Sequence, residues 1–198
     1  MSTLRDYYLK LQEFEGATPV ELIAPWESEV VEEIHRDFAA ALASGILHKA
    51  TVDIPAGTSN QSIGNRIADF ATTLIDPALQ QFQIEKCTGQ GYPDRILKRR
   101  QGEGRYPAEL KATSAWNPGD SNRRVITSST AKLRRQFAPP INHLMLTFSY
   151  SLNIDAAQIS AVRLDFVEPD TIVNIRLEAS VSHKLLAEGK HRYFTLPC

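Results

Sequence analysis

The sequence predicts an α/β fold in which a mixed central sheet of about four to six strands is flanked by helices. Two amphipathic helical patterns precede residue 76, and three apolar runs with strand character follow residue 140. The 198 residues suffice for one hydrophobic core and are too few to expect two independent cores. No repeat, low-complexity tract or long linker divides them, so residues 1–198 are expected to form a single domain.

Three segments have the features of helices. The first begins near Pro25 and ends near Gly45, and its apolar stripe repeats every four residues: Val30, Ile34, Phe38 and Leu42. The second begins after capping side chains at 58–62 and ends before Asp76-Pro77. Its inward positions are Ile63, Ile67, Phe70 and Leu74. A short basic helix is predicted over 131–137, where Pro139-Pro140 ends it.

The strands are predicted from extended or alternating patterns. The chain becomes extended from about Phe82, turns near Pro93, and continues as a strand from Asp94. Residues 108–112 are predicted to form a strand in which Glu109 and Lys111 point to one side and Leu110 to the other. Three further strands are predicted over 143–150, 161–167 and 172–177.

Charge is divided unevenly along the chain. Residues 1–85 contain 5 Lys and Arg against 13 Asp and Glu, whereas residues 86–143 contain 12 against 4. The whole chain has a formal net charge of −1, which conceals this division. A basic central third predicts that one face of the protein approaches phosphates while the rest keeps it soluble. A basic surface that only contacts solvent is the alternative.

One group of residues in the basic third has the chemistry of a metal site. Asp94 begins a predicted strand, and Glu109 and Lys111 share one side of another. Two carboxylates and a backbone carbonyl, here that of Leu110, leave coordination positions for water and a phosphate oxygen, as Mg²⁺ prefers. The residues therefore predict an Mg²⁺ site where the metal activates water and Lys111 orients it.

These residues also resemble a known motif. Pro93-Asp94, followed after fourteen residues by Glu109-Leu110-Lys111, is similar to the signature of the PD-(D/E)xK nuclease superfamily, above all its type II restriction endonucleases. The resemblance covers residues 60–137 at most. It implies a restriction-endonuclease-like sheet between helices, Mg²⁺ as cofactor, metal binding by Asp94 and Glu109, and assistance of the attacking water by Lys111.

Two further sites follow from the same resemblance. Many nucleases of this superfamily have a helix before the first acid that supplies another carboxylate, and Asp69 is the candidate here. A solvated surface acid is the alternative for Asp69. A second copy of the motif is formed by Pro169-Asp170 and Glu188-Gly189-Lys190. Gly189 favours a turn over a strand at that position, so the first copy is preferred.

The basic residues are expected to bind DNA in two groups. Four lie between the metal ligands, where they can contact phosphates near the scissile bond: Lys98, Arg99, Arg100 and Arg105. The second group follows the catalytic strand and includes polar residues suited to reading bases: Asn117, Asn122, Arg123, Arg124, Ser128, Ser129, Lys132, Arg134 and Arg135. For each residue, a phosphate contact or a solvated position is the alternative to base reading.

Motif and charge together predict a type II restriction enzyme, a hydrolase that cleaves double-stranded DNA with Mg²⁺. A homodimer is expected, because cutting both strands of a palindrome needs two sites related by a two-fold axis. One alternative is a structure-specific or nicking DNA repair nuclease of the same superfamily. The other is a DNA-binding protein without catalysis, which would use the basic third and no metal.

The remaining features predict the setting of the protein. No stretch approaches the roughly 18 apolar residues that a membrane span requires, and the first residues lack the apolar core of a signal peptide. The two cysteines, Cys87 and Cys198, suit a reducing compartment better than a disulfide. A cytoplasmic protein that is not bound to a membrane is therefore expected.

Overall fold

The computed structural model describes residues 2–88, 92–114, 130–177, 181–185 and 192–198. Within these ranges the helices are α1 (Leu4–Phe14), α2 (Ser28–Ala43), α3 (Asn60–Ile75) and α4 (Ala131–Gln136), with a 3₁₀ turn at Asp76–Ala78. The strands are β1 (Ser2–Thr3), β2 (Thr51–Asp53), β3 (Phe82–Lys86), β4 (Arg95–Arg99), β5 (Arg105–Thr113), β6 (His143–Leu152), β7 (Ala156–Val167), β8 (Ile172–Leu177), β9 (Val181–Leu185) and β10 (Arg192–Pro197).

A mixed sheet organises the described part of the chain. Its strand order is β10-β7-β6-β5-β4-β3, and β2 pairs with β7 as a seventh strand. The pairing of β5 with β6 is parallel, whereas the other pairs in this sheet are antiparallel. A smaller sheet has the order β1-β8-β9. The predicted fold class, a mixed α/β sheet with flanking helices, is confirmed.

Helices α2 and α3 cover one face of the large sheet. Their apolar stripes pack into a cluster with the even-numbered residues of β5: Ala108, Leu110 and Ala112. Helix α3 approaches β5 closely because small residues lie at their contact. A Cβ added to Gly64 of α3 would lie 3.9 Å from the Cβ of Ala112 on β5. Ser59 caps α3 by accepting a hydrogen bond from the Ser62 N–H at 3.3 Å.

Helices α1 and α4 belong to a second buried cluster, which packs against the other face of the sheet. Tyr8 of α1 and Leu133 of α4 lie in this cluster together with Ile96 of β4 and Met145 of β6. Helix α1 was not predicted from the sequence, although it has a clear start signal. Thr3 and Asp6 form a capping box, in which each side chain accepts a hydrogen bond from the other residue's N–H at 3.1 Å.

The predicted elements agree with the structure in type, and the differences lie mainly at their ends. Strands β5, β6 and β7 each extend beyond the predicted segments, and β2, β9 and β10 were not predicted. On α3, Phe70 and Leu74 are only partly buried, because Ala68, Ala71 and Ile75 face the core instead. No helix in the described ranges has the length and apolar composition to cross a membrane.

Two acids, the buried Asp37 and the half-buried Asp76, accept hydrogen bonds from backbone N–H groups at the edge strand β3. Asp37 of α2 is only 4% exposed, and its carboxylate accepts hydrogen bonds from the N–H groups of Gln80 at 2.8 Å, Gln81 at 3.0 Å and Phe82 at 3.0 Å. Asp76 accepts another from the Ile84 N–H at 2.6 Å. An edge strand whose N–H groups are occupied cannot template the addition of another strand.

The Asp37 contacts predict a large loss of stability for Asp37→Ala. The substitution leaves three partly or fully buried N–H groups without their charged acceptor, so the free energy of unfolding is expected to fall by roughly 3 kcal/mol. Urea unfolding followed by circular dichroism measures this change. Asp53→Ala, on the exposed face of β2, is the control and should change stability by less than about 0.5 kcal/mol. Equal stability of the two variants would contradict a stabilising role for the hydrogen bonds of Asp37.

Candidate metal centre

Asp94 lies immediately before β4, beside the middle of β5. Its N–H donates to the carbonyl of Ala108 at 3.1 Å, the residue that pairs with Arg95 at the start of β4. Its side chain then replaces the next backbone acceptor, because Asp94 Oδ2 accepts a hydrogen bond from the Leu110 N–H at 3.0 Å. This contact holds the carboxylate next to Glu109 and Leu110, as the motif predicted.

The carbonyl of Leu110 points toward Asp94 as well. In an extended strand, the N–H and C=O of one residue lie on the same edge. The Leu110 N–H donates to Asp94, so the Leu110 carbonyl faces the same edge of β5. This position lies just beyond Arg95 and Ala108, which form the last pair between β4 and β5. The backbone oxygen predicted as a metal ligand therefore lies on the side of β5 occupied by the first carboxylate.

Glu109 and Lys111 share the face of β5 opposite Leu110, as predicted. Glu109 is 8% exposed, and its Oε1 accepts a hydrogen bond from Lys111 Nζ at 2.5 Å. Its other oxygen, Oε2, is buried and has no hydrogen-bond partner among the described residues. Such a buried carboxylate oxygen is costly unless another ligand satisfies it.

Burial changes the acidity of this site. Loss of hydration raises the pKa of Glu109 to about 7, the charge of Lys111 partly opposes this shift, and the neighbouring Asp94 carboxylate adds to it. Two carboxylates close together therefore disfavour their joint ionisation. A divalent cation between them would reverse this preference, because it stabilises both negative charges.

Aromatic residues form a buried wall beside Glu109. The ring of His143 is stacked between those of Tyr8 and Tyr92, with centroid distances of 5.4 and 5.6 Å. Tyr92 Oη lies 2.6 Å from His143 Nδ1, and His143 Nε2 lies 3.2 Å from the Leu22 carbonyl oxygen. Since that carbonyl can only accept, Nε2 carries the proton and Nδ1 accepts from Tyr92. Burial lowers the pKa of His143 to about 4, which keeps the ring neutral.

The donor set fits a hard divalent cation. Asp94, Glu109 and the Leu110 carbonyl offer oxygen atoms only, which Mg²⁺ prefers, and the unsatisfied Oε2 of Glu109 is one of them. No cluster of three or more His, Cys, Asp or Glu side chains suited to a metal occurs in the described ranges. The predicted set has two carboxylates, and its third protein ligand is a backbone oxygen.

Asp69 lies in a different environment. It forms an ion pair with Arg95, and its side chain is 58% exposed. Arg95 pairs with Ala108, whose side chain packs in the cluster of α2 and α3, so Arg95 lies on that face of the sheet. Asp69 therefore lies on the α3 side, with Arg95 between its carboxylate and the backbone of Asp94, to which Arg95 Nη1 donates at 3.0 Å. Its catalytic role stays a prediction.

Three of the predicted DNA-binding residues that the structure describes lie on α4, and one of them, Lys132, contacts the chain next to Asp94. Lys132 Nζ donates to the carbonyl oxygen of Pro93 at 2.9 Å, which places this ammonium one residue from Asp94. Arg134 lies 3.6 Å from Glu15, and Arg135 is exposed. Within the described ranges, Lys132 is therefore the α4 side chain whose ammonium lies beside the residue that precedes Asp94.

The four basic residues of the β4–β5 hairpin lie farther away. Arg100 is six residues beyond Asp94 along an extended strand, a separation of about 20 Å. Arg99 is occupied by an ion pair with Glu33, and Lys98 forms one with Glu85 at 3.0 Å. Arg105 donates to the Gln136 carbonyl at 3.3 Å. Lys98 and Arg105 are paired in the ladder and lie four residues from Asp94 and Glu109, respectively, about 13 Å along each strand. Their contacts with phosphates near the scissile bond stay a prediction.

Several predicted residues lie outside the described ranges. These are the base-reading candidates between the strands β5 and β6, namely Asn117, Asn122, Arg123, Arg124, Ser128 and Ser129, and the second half of the alternative motif, Glu188-Gly189-Lys190. Asp170 of that motif is described and is exposed in a turn. The structure brings together the first copy of the motif.

The aromatic wall was not predicted as part of the site. The hydrogen bonds of His143 with Tyr92 and with the Leu22 carbonyl fix its ring in the core. Tyr92 had a sequence signal, since it directly precedes Pro93-Asp94, whereas Tyr8 lies 101 positions before Glu109. The capping box of α1 and its apolar spacing could have located Tyr8 on a buried helix face, but no local pattern connects it to Glu109.

Comparison with protein-family models gives no match to this chain, and comparison with curated proteins and with solved structures gives none either. The resemblance to the PD-(D/E)xK superfamily therefore depends on the motif residues themselves. Asp94 lies next to Leu110 because the β4–β5 hairpin folds back on itself, and Lys111 contacts Glu109 two positions before it on β5; membership of the superfamily stays a prediction.

The raised pKa of Glu109 predicts that this residue destabilises the metal-free protein at neutral pH. Between its ordinary value of 4.5 and about 7, the folded protein binds more protons at this site than the unfolded chain does. The contribution of Glu109 to stability therefore falls as pH rises through this window. Glu109→Gln removes the effect and should raise the free energy of unfolding by roughly 2–3 kcal/mol at pH 8 relative to pH 4.5.

The measurement is the difference between wild type and variant in EDTA across pH 4.5–8. The difference between wild type and variant is needed because His143 also changes stability with pH. Its pKa of about 4 lies below the ordinary 6.5, so its contribution to stability rises with pH over part of the same range. Glu103→Gln in the exposed hairpin loop is the matched control. A flat difference profile for Glu109→Gln would show that its carboxyl titrates as in the unfolded chain.

Proposed function

We propose that the chain is an Mg²⁺-dependent endonuclease that hydrolyses phosphodiester bonds of double-stranded DNA, in the manner of a type II restriction enzyme. The observation that carries this proposal is that Asp94, just before β4, lies beside Glu109 and Lys111 in the middle of β5. One strand contributes an acid and a lysine to the same face, and the chain before β4 contributes a second acid. This combination suits hydrolysis of a phosphate ester better than it suits binding alone.

The residues can divide the work of hydrolysis. Asp94, Glu109 and the Leu110 carbonyl would hold Mg²⁺, which supplies charge to polarise the scissile phosphate and to acidify a bound water. Lys111 Nζ, which contacts Glu109 Oε1 in the structure, would donate a hydrogen bond to the attacking water and stabilise charge on the phosphate in the transition state. The bond that forms joins the water oxygen to phosphorus, and the bond that breaks is a P–O bond of the backbone.

Charge supports DNA as the substrate. The three residues lie within the basic central third of the chain, and Lys132 extends its ammonium to the residue preceding Asp94. Phosphate contacts from such cations provide most of the affinity of proteins for DNA. Cleavage of both strands at one site would require two copies of the domain, so a homodimer is part of the proposal.

A DNA-binding protein without catalysis is the competing function. It has no use for a buried carboxylate, Glu109, beside a half-buried one, Asp94, near a phosphate-binding surface, because both repel DNA and Glu109 loses hydration on burial. The burial of Glu109 therefore favours the nuclease. A structure-specific or nicking repair nuclease uses the same site, and it differs in whether cutting depends on DNA structure or on base sequence.

Removal of the site should abolish cleavage. Asp94→Asn keeps an acceptor for the Leu110 N–H but removes the charge, and Lys111→Met keeps the length of the side chain but removes the ammonium. Each is expected to lower the cleavage rate at least about a hundredfold, since each loses several kcal/mol of transition-state stabilisation. The assay follows plasmid and phage DNA on gels with Mg²⁺ and with EDTA.

The matched control is Asp170→Asn, in the alternative motif, which should cut as wild type does. Discrete fragments lost in EDTA and in both site variants support the proposal, whereas cutting that follows DNA structure assigns the repair nuclease. Intact DNA under every condition, with salt-sensitive binding retained, leaves the non-catalytic binding protein. Cleavage that survives both site variants and fails in Asp170→Asn would move the site to the alternative motif.

A second prediction concerns Lys132. If its ammonium meets a phosphate, Lys132→Met should weaken DNA binding to a similar extent for all sequences and reduce the slope of log affinity against log salt by about 0.9. Fluorescence anisotropy in Ca²⁺ buffer at several salt concentrations measures both quantities. Lys10→Met, on the exposed face of α1, should leave the slope unchanged. An unchanged slope for Lys132→Met would exclude the phosphate contact.

A further inference from the structure

Buried polar atoms without partners lie on the polar face of the sheet around Glu109. Within the described residues, Tyr8 Oη, Glu109 Oε2 and Thr147 Oγ1 are buried and make no hydrogen bond. Thr147 is the β6 neighbour of Lys111, so it shares the face of Glu109 and Lys111. Buried hydroxyl and carboxylate oxygens are rarely left unsatisfied in proteins, which indicates a polar ligand that completes this region.

Tyr8 is held rigidly although its hydroxyl is unsatisfied. Its side chain is 1% exposed and stacks on His143, which is itself fixed by Tyr92 and by the Leu22 carbonyl. Helix α1 is anchored at its start, where the Leu4 N–H donates to the Thr171 carbonyl at 2.8 Å. The position of the hydroxyl is therefore determined by packing and not by a hydrogen bond of its own.

Several observations connect Tyr8 to Glu109. Tyr8 packs in the same cluster as Met145, which is the β6 neighbour of Glu109. Burial raises the pKa of Tyr8 well above its ordinary value, and the charge of Glu109 contributes to this shift. Tyr8 and Glu109 thus border one buried region, which contains an O–H group without an acceptor and a carboxylate oxygen without a donor.

We propose that Tyr8 is a positioning residue for the metal site: its hydroxyl donates a hydrogen bond to Glu109 Oε2 when a divalent cation is bound and keeps the carboxylate in its ligating orientation. The inference rests on the proposed function, since it assigns Glu109 as a metal ligand. Helix α1, far from the motif in sequence, thereby becomes part of the site.

The lone pairs of Glu109 allow this arrangement. Each carboxylate oxygen can accept two interactions. Oε1 already accepts from Lys111, whereas Oε2 can use one lone pair for the cation and the other for Tyr8. A carboxylate held at both oxygens cannot rotate away from the metal, and residues that orient a ligand in this way typically contribute about 10–100-fold to metal affinity.

The test compares two neighbouring tyrosines in the full chain. Tyr8→Phe removes only the hydroxyl, and Tyr7→Phe removes the same atom from a residue that is 5% exposed and whose pKa is raised by burial and by Glu15 rather than by Glu109. Electron paramagnetic resonance of free Mn²⁺ measures the affinity for the metal. We expect Tyr8→Phe to weaken Mn²⁺ binding by about tenfold or more, and Tyr7→Phe to bind as wild type does.

Two more readouts separate positioning from general damage. Thermal unfolding in EDTA should show Tyr8→Phe at least as stable as wild type, because it removes an unsatisfied buried hydroxyl. The cleavage rate of Tyr8→Phe should reach that of wild type once Mg²⁺ saturates, since Tyr8 acts through Glu109 and not on the substrate. Equal weakening of Mn²⁺ binding in both tyrosine variants would instead indicate a disturbed α1 and overturn the inference.

Asp94→Asn distinguishes failure of the inference from failure of the proposed function. Wild-type Mn²⁺ affinity in Tyr8→Phe, with binding lost in Asp94→Asn, overturns the role of Tyr8 and leaves the metal site intact. Absence of Mn²⁺ binding in the wild-type protein overturns both.

Discussion

The hydrogen bond from the Leu110 N–H to Asp94 Oδ2 is the contact on which the arrangement of the site depends. It ends the ladder between β4 and β5, because a side chain takes the place of the next backbone acceptor. It also joins the side chain of Asp94 to Leu110, sixteen positions later on the paired strand of the β4–β5 hairpin. Without it, the carboxylate of Asp94 would turn toward solvent, and Glu109 would be the sole acid on that face of β5.

Strand β5 can support this contact because its two faces have opposite chemistry. Leu110 and its even-numbered neighbours pack against α3 and hold the strand in place, while the buried Glu109 and the half-buried Lys111 lie on the other face. Burying a carboxylate with one unsatisfied oxygen opposes folding, and the apolar face offsets that cost. Such local instability is typical of sites that gain their full set of interactions only when a ligand binds.

Local patterns predicted the elements that carry the motif, because alternation in β5 and four-residue spacing in α2 are recorded in neighbouring residues. They did not predict the extra strands β2, β9 and β10, which are short and gain stability from pairing with the sheet or with β8 rather than from their own composition. Asp69 shows the same limit: its position on α3 was predicted, whereas its ion pair with Arg95 depends on how the helix crosses the sheet.

The sequence by itself determined the fold class, the alternation that places Glu109 and Lys111 together, and the charge of the region around them. These properties depend on spacing within a few residues, which the chain order records directly. Only the tertiary structure decided that Lys132 contacts Pro93 and that Tyr8 packs in one cluster with Met145, the β6 neighbour of Glu109. Those contacts join residues distant in sequence, and they arise from the packing of α1 and α4 on one face of the sheet.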